Sequence, residues 1–349
     1  MATLGGDLFT LADTAKLLDP KGMLARVINT LSQSNPMIED AFVMPSNLPT
    51  SHRGSRVVGE PTVGFRRINA GVASSKATFE QYEDVISLIE TQSTVDEELL
   101  NISGNPSAIR AKFAKPFVSA MTKFVTESLI YGSLADNDAE FNGLNVRYGT
   151  LGDNVLGCGD TGSDLSSIYL INWCEDFHLI YPMNTQGGLV HVDRGPQQVQ
   201  QSTDPAGAKY WAYVDQFKWH IGLSVGDNRQ AVRICNLQVA DVEGISGLQE
   251  MTDYTTNILF RMYDAIAALP DEGGGGKPCF YMPRSVYRGL NKQALARQVG
   301  AINLGADTSH TGAGKGGTDG TKFKPVMTVG GIPVKIVDQM GYAESTVSS

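Results

Sequence analysis

From Phe42 to Ile68 the apolar positions Val43, Val57, Val58, Val63 and Phe65 stand among Pro45, Pro49, Pro61, glycines and charges. That mixture suits an edge strand or a protruding hairpin and is too broken for a central strand. The return run, Thr78 to Thr94, carries Phe79, Tyr82, Val85, Ile86, Leu88 and Ile89 at mixed spacing, which predicts a partly covered strand. Together they form an extended two-stranded arm with little core of its own. A segment that cannot bury itself must be buried by another subunit.

A long helix follows. Asn105-Pro106 supplies a cap residue and a proline at the first helical position. Ile109, Phe113, Phe117, Met121, Phe124, Val125 and Leu129 then recur near four-residue spacing, as one buried face requires. Pro116 predicts a kink or a break. Continuous to Leu134, the helix would span on the order of 40 Å. The turn Glu140-Phe141-Asn142-Gly143-Leu144 comes next, and upstream of the arm Lys21 to Leu31 reads as a short amphipathic helix.

The second half is rich in strands. Ile168–Ile171 and Phe177–Tyr181 read as buried strands, and Leu189–Val192 as another. Phe217, Trp219, Ile221, Leu223 and Val225 alternate with polar or small residues, and Gly226-Asp227-Asn228 leads into Ala231–Cys235, so a hairpin is predicted. Leu248 to Leu269 has a helical face ended by Pro270, Cys279–Met282 is a short strand, and a helix runs from Ser285 to about Gln298. Gly300 to Thr321 reads as a glycine-rich loop, and Pro325–Val329, Gly330-Gly331, Ile332–Val337 as a closing hairpin.

At 349 residues and 42% hydrophobic, the chain can build a large core split over subdomains. A formal charge of −9 argues against tight sequence-independent nucleic-acid binding, which needs basic patches, although an acidic protein can surround DNA without gripping it. The four cysteines, Cys158, Cys174, Cys235 and Cys279, form no CxxC pair and are expected as buried thiols. The N-terminus lacks a signal peptide pattern and no stretch reaches membrane-span length, so the expectation is a soluble protein made in a reducing cytosol.

Candidate chemistry is sparse. Gly312-Ala313-Gly314-Lys315-Gly316-Gly317-Thr318 imitates a phosphate loop, yet Gly316 stands where Ser or Thr should be and no apolar strand feeds it. The histidines lack metal-site spacing; His178 and His191 could face one another across adjacent strands, near Asp176 and Asp193. A nucleophilic Cys174 would need His178 or His191, and Glu175 beside it dulls the thiol. No catalytic, cofactor-binding or metal residues are expected, and a hydrolase stays the weaker alternative.

Charge is segregated along the arm. From Ala41 to Ala77 the ionised residues are Arg53, Arg56, Arg66, Arg67 and Lys76 against Glu60; from Thr78 to Glu98 they are Glu80, Glu83, Asp84, Glu90, Asp96, Glu97 and Glu98. Either the two strands neutralise each other, or the basic tip meets an acidic surface of the next subunit. The second account makes Arg53, Arg56, Arg66, Arg67, Glu80, Glu83 and Asp84 expected intersubunit contacts.

This order of elements resembles the tailed-bacteriophage major capsid proteins of the Hong Kong ninety-seven fold, over essentially the whole chain. The resemblance lies in the arm returning as Ser87-Leu88-Ile89-Glu90 to Val95-Asp96 and in the long helix. It extends to Phe141-Asn142-Gly143-Leu144 with Arg147-Tyr148, to Phe280-Tyr281-Met282-Pro283, and to Gly330-Gly331-Ile332-Pro333-Val334. It implies an α+β fold with 1–40 as N-terminal arm, 41–94 as extended loop, and 95–149 as peripheral domain with its spine helix. That domain would be completed by 206–244 and 322–349, with 150–205 and 245–321 as axial domain. It implies self-assembly into pentamers and hexamers of an icosahedral shell around double-stranded DNA, bound without sequence specificity. Further implied partners are a separate scaffolding protein, a portal and a decoration protein, with synthesis in the host cytoplasm and residence in the virion capsid. A cellular nanocompartment shell of the same fold is the alternative. Lys76 is the only lysine between Val43 and Thr91 and supports no covalent cross-link on its own.

Overall fold

The computed structural model describes residues 35–102, 106–159, 162–200, 209–239, 257–270, 276–297, 302–306, 325–341 and 343–348. The expected helix over Lys21–Leu31, the cap Asn105 and the loop Gly312–Thr318 lie outside them. Two compact units emerge, and no described helix is long and apolar enough to cross a membrane.

The first unit contains Ser87–Val125 and Thr185–Ile221. Its sheet has three antiparallel strands: β4 (Ser87–Asp96) and β8 (Leu189–Gln200) flank β9 (Lys209–Val225). β4 runs in register from Ser87↔Ile221 to Asp96↔Ala212, and β8 carries an irregularity between Asp193 and Pro196. α2 (Glu97–Ile102) and the start of α3 (Pro106–Tyr131) cover it, with Val95, Leu99, Leu100, Ile109 and Phe113 packed together against Tyr213. The helix runs unbroken through Pro116, where the sequence suggested a kink or break. Pro116 is exposed, so the lost rung opens toward water rather than into a core. The predicted stripe is largely buried, but Phe124 is 49% exposed. Ile109, Phe113, Met121, Val125 and Leu129 continue the buried line at four-residue steps, and Phe124 falls one position off it.

The second unit contains Ser34–Ile86, Thr126–Asn184 and Gly222–Ser349. Its main sheet joins β5 (Val155–Gly157), β6 (Leu165–Trp173), β10 (Ala231–Gln238), β11 (Lys277–Met282), β12 (Ile302–Ala306), β13 (Pro325–Val329) and β14 (Ile332–Ile336) in the order β12-β13-β14-β11-β6-β10-β5. β6 is buried along its whole length, as a strand flanked by neighbours and covered on both faces must be. α5 (Ile258–Ala268) and α6 (Arg284–Arg297) supply Met262, Ala265, Val286 and Leu290 to a core shared with Ile168, Leu170, Val232, Ile234, Phe280 and Met282. A second strand group, preceded by the short helix α1 (Pro36–Asp40), pairs β1 (Val43–Pro45) in parallel with β7 (Phe177–Tyr181), which runs antiparallel to the end of β9.

Two expectations are corrected. β9 and β10 do not pair as a hairpin. Asp227 caps a single 3-10 turn, Asn228–Gln230, and β10 then enters between β5 and β6, where nearly every one of its residues is buried. The expected loop from Gly300 contains a strand, β12, paired with β13 from Ile302↔Val329 to Ala306↔Pro325. The β13–β14 hairpin forms as predicted, with Gly330 and Gly331 at φ of 58° and 86°, a pair of left-handed positions suited to a tight hairpin turn.

The helix end and the following turn approach backbone to backbone. Gly143 N–H donates to the Gly132 carbonyl at 2.8 Å. A Cβ on Gly143 would lie 2.8 Å from the carbonyl oxygens of both Ser128 and Leu129, so this turn needs glycine for space. The C-terminal segment is held by a buried ion pair. Arg233 is 1% exposed and donates to the Glu344 carboxylate at 2.8 Å, to Ser167 Oγ at 3.0 Å and to the Tyr148 carbonyl at 2.8 Å. Nearby, Asn236 bonds both backbone N–H and C=O of Val347.

Two stability predictions follow from these contacts. Gly143→Ala should lower unfolding free energy by about 1–3 kcal/mol through overpacking, and a urea transition at the wild-type midpoint would show that the turn relaxes freely. Glu344→Ala strands a buried guanidinium and should cost about 3–5 kcal/mol; a loss under about 1 kcal/mol would mean that the Ser167 and Tyr148 contacts suffice.

Candidate assembly surface

The arm is built from β2 (Ser51–Gly59) and β3 (Thr78–Val85), antiparallel from Ser51↔Val85 to Val57↔Phe79, with a shift between Val57 and Gly59. The expected single return strand is divided: Ile86, its N–H donating to the Thr50 carbonyl, separates β3 from β4. Gly54 faces Tyr82 across the hairpin. A Cβ there would fall 2.3 Å from the Tyr82 oxygen, so the ring lies directly over the glycine backbone and covers it.

Burial falls steeply from root to tip. Ser51 and Asp84 are 5% exposed, while Val63, Phe65 and Ile68 are 91%, 113% and 91% exposed. Residues 60–77 form no strand. A turn at Arg67–Ala70 with Asn69 at φ 71° and a bond from Ser75 Oγ to the Thr62 carbonyl organise the tip.

The charges along the arm sort into three groups. Arg53 and Arg56 pair across the hairpin with Glu83 and Glu80 at 2.7 and 2.9 Å, all four at least one-third exposed. Hydrogen bonds from Ser51 and then Arg53 hold the Glu83 carboxyl below its ordinary range. Asp84 is committed inside its own chain: Oδ1 accepts from Arg147 at 2.6 Å and Oδ2 from Val225 N–H at 2.9 Å. The same guanidinium donates to the Asn142 and Leu223 carbonyls. Arg66 donates only to the Arg67 carbonyl, and neither arginine has an ion pair among the described residues. Arg147 was missed as a partner because it lies 63 positions from Asp84; its place next to Phe141-Asn142-Gly143-Leu144 was the available hint.

A polar groove of about 550 Å³ lies beside the arm, lined by Ser55, Arg56, Glu60, Tyr82, Asp176, Asp227 and Arg229, among others. Asp227 and Arg229 pair within it at 2.8 Å. It brings no nucleophile and base together. Cys174 is buried, and burial followed by Asp176 pushes its thiol up, against backbone hydrogen bonds that pull it down. His178 and His191, which could have faced one another across adjacent strands, have different partners. His178 meets His52, whereas His191 lies 2.9 Å from Asp215 and stacks on Phe217. Arg110 binds Asp215 and Asp193 beside it, at 2.7 and 2.8 Å. Among the described residues no three metal-ligating side chains converge.

Comparison with known proteins supplies the family. The model of the major capsid protein GP7 family matches residues 19–348. A search of curated proteins finds no match. The capsid structure of bacteriophage Epsilon15 is 25% identical, superposes with a TM-score of 0.74, and covers 100% of both chains. The bacteriophage JBD30 capsid is 13% identical over 88% of this chain and 91% of its own, with a TM-score of 0.48. The SrpI encapsulin of Synechococcus elongatus PCC 7942 is 10% identical over 61% of this chain and 92% of its own, with a TM-score of 0.39. The arm, the long helix and the mixed α+β core thus have a counterpart over their full length, and the chain belongs to the major capsid protein GP7 family, a family of structural proteins with the Hong Kong ninety-seven fold.

Proposed function

We propose that this chain self-assembles into hexamers and pentamers that close an icosahedral shell around double-stranded DNA, each arm lying across a neighbouring subunit. The observation that carries this reading is the tip. Val63, Phe65, Ile68 and Val72 are 72–113% exposed, with no core of their own to enter. Covering each would contribute about 1.5–3 kcal/mol, and repeated heterologous contacts close a shell when their angles allow. Arg66 and Arg67 add a basic tip that steers the arm to acid on the next subunit. Arg53, Arg56, Glu80 and Glu83 stiffen the hairpin while leaving polar edges for intersubunit bonds, and Asp84 sets the arm's direction. The chain's net charge of −9 favours enclosure of DNA over a tight grip on it.

On this reading 1–40 is the N-terminal arm and 41–94 the extended loop. A separate scaffolding protein and a portal are the partners proposed for such a shell, with a decoration protein as an optional addition, and the subunit is made in the host cytoplasm before entering the virion.

Assembly is measured by sedimentation and electron microscopy of the purified chain. Phe65→Ser with Ile68→Ser should fold as wild type and shift the population from shells to free subunits or capsomers. A stable wild-type monomer with its tip folded back on its own core would sink the shell reading. Arg66→Glu with Arg67→Glu should likewise fold and assemble poorly, and salt should weaken wild-type assembly as the screening length drops below about 8–10 Å. Unimpaired shells from that double variant would remove charge from the mechanism while leaving the apolar contact standing.

A further inference from the structure

Three imidazole nitrogens at the root of the arm are buried with no hydrogen-bond partner: Nδ1 of His52 and both ring nitrogens of His178. His178 belongs to β7 and is 4% exposed; His52 belongs to β2 and is half-buried. Their rings meet edge to face, centroids 5.6 Å apart and planes at 88°. Buried polar atoms are normally paired, so three unpaired nitrogens in one contact require a reason.

Neutral rings tolerate this contact, whereas imidazolium ions do not. A proton on both rings sets two positive charges at that separation and adds N–H donors in a buried contact where the Glu175 carbonyl is the backbone acceptor at hand. The carboxylates nearby are poorly placed to compensate. Asp84, across from His52 in the hairpin register, has one oxygen on Arg147 and the other on Val225 N–H. Asp176, ahead of β7, is exposed. Arg53, next to His52 in β2, is paired with Glu83. Among the described residues no third ligand joins the two histidines to make a metal group.

We propose that the His52–His178 contact is an acid-released latch: with both rings neutral it holds the root of the arm against β7, and protonation frees the arm to move. Burial, with a smaller push from His52, lowers the His178 imidazole below its ordinary range, against the Glu175 carbonyl, Asp84 and Asp176. The sign follows. A group whose value is depressed in the closed state contributes its full stability above the ordinary imidazole value of 6.5 and loses it as pH falls below.

Hydrogen exchange of the full chain between pH 7.5 and 5, corrected for intrinsic rates, reads the latch directly, with the amides of Leu165–Trp173 as internal reference. Protection of Ser51–Gly59 should fall by up to about tenfold per pH unit below the imidazole range, the limit for uptake of one proton, while the reference holds. Replacing both histidines by phenylalanine, which keeps the edge-to-face contact without a titrating group, should remove that dependence. Wild-type protection that ignores pH, or a double variant that keeps the full acid response, overturns the proposal. Should the variant not fold, histidine ring NMR of the wild type decides: His178 titrating at or above its ordinary range refutes the latch, and titration below it together with the wild-type loss of protection supports it.

Discussion

The Asp84 carboxylate is the point on which the arm depends. A carboxylate buried to this degree persists only with its oxygens engaged, and here one receives the Arg147 guanidinium and the other the Val225 N–H. Arg147 also donates to the carbonyls of Asn142 and Leu223. Four pieces of chain are therefore fixed together: the end of β3, the turn after the long helix, the short helix carrying Arg147 (α4, Leu144–Arg147) and the end of β9. Gly143 makes this possible, since any side chain there would push the turn off the helix end. A stiff root with an unsupported tip is the mechanical result.

The ion pairs divide by environment, and the division separates architecture from surface. Arg233–Glu344 and Arg147–Asp84 are largely withdrawn from water and each guanidinium has further carbonyl or hydroxyl partners. Such pairs add little net stability over apolar packing but punish the loss of either member, so they specify one arrangement. Arg53–Glu83 and Arg56–Glu80 lie in solvent along the hairpin, where pairs are weak and exchange partners readily. They can hold register in the free chain without competing with a stronger contact elsewhere.

Much of this architecture was legible in the sequence. The arm showed itself through prolines and isolated valines, the long helix through Pro106 and its four-residue stripe, and the closing hairpin through Gly330-Gly331. The failures are physical as well. Gly226-Asp227-Asn228 has hairpin composition, but β10 is buried on both faces and belongs between β5 and β6, a demand of tertiary packing that turn chemistry cannot register. β12 hid in a glycine-rich stretch because its pairing with β13 uses backbone groups that composition does not reveal. Local pattern also could not supply Asp84–Arg147, Arg233–Glu344 or His52–His178, whose members are far apart in the chain and meet only once the sheets have formed.

The tip reconciles two requirements that oppose each other. Exposed Val63, Phe65, Ile68 and Val72 would make an isolated subunit stick indiscriminately, because apolar contact has no direction. Arg66, Arg67 and Lys76 sit among them, keep the tip hydrated and make two tips repel. In the proposed shell, apolar area then contributes only where an acidic surface of a neighbour first draws the arm in, so charge selects the encounter and burial holds it. The residues that choose the contact there are therefore distinct from those that stabilise it, and a change of salt acts on the first set without altering the second.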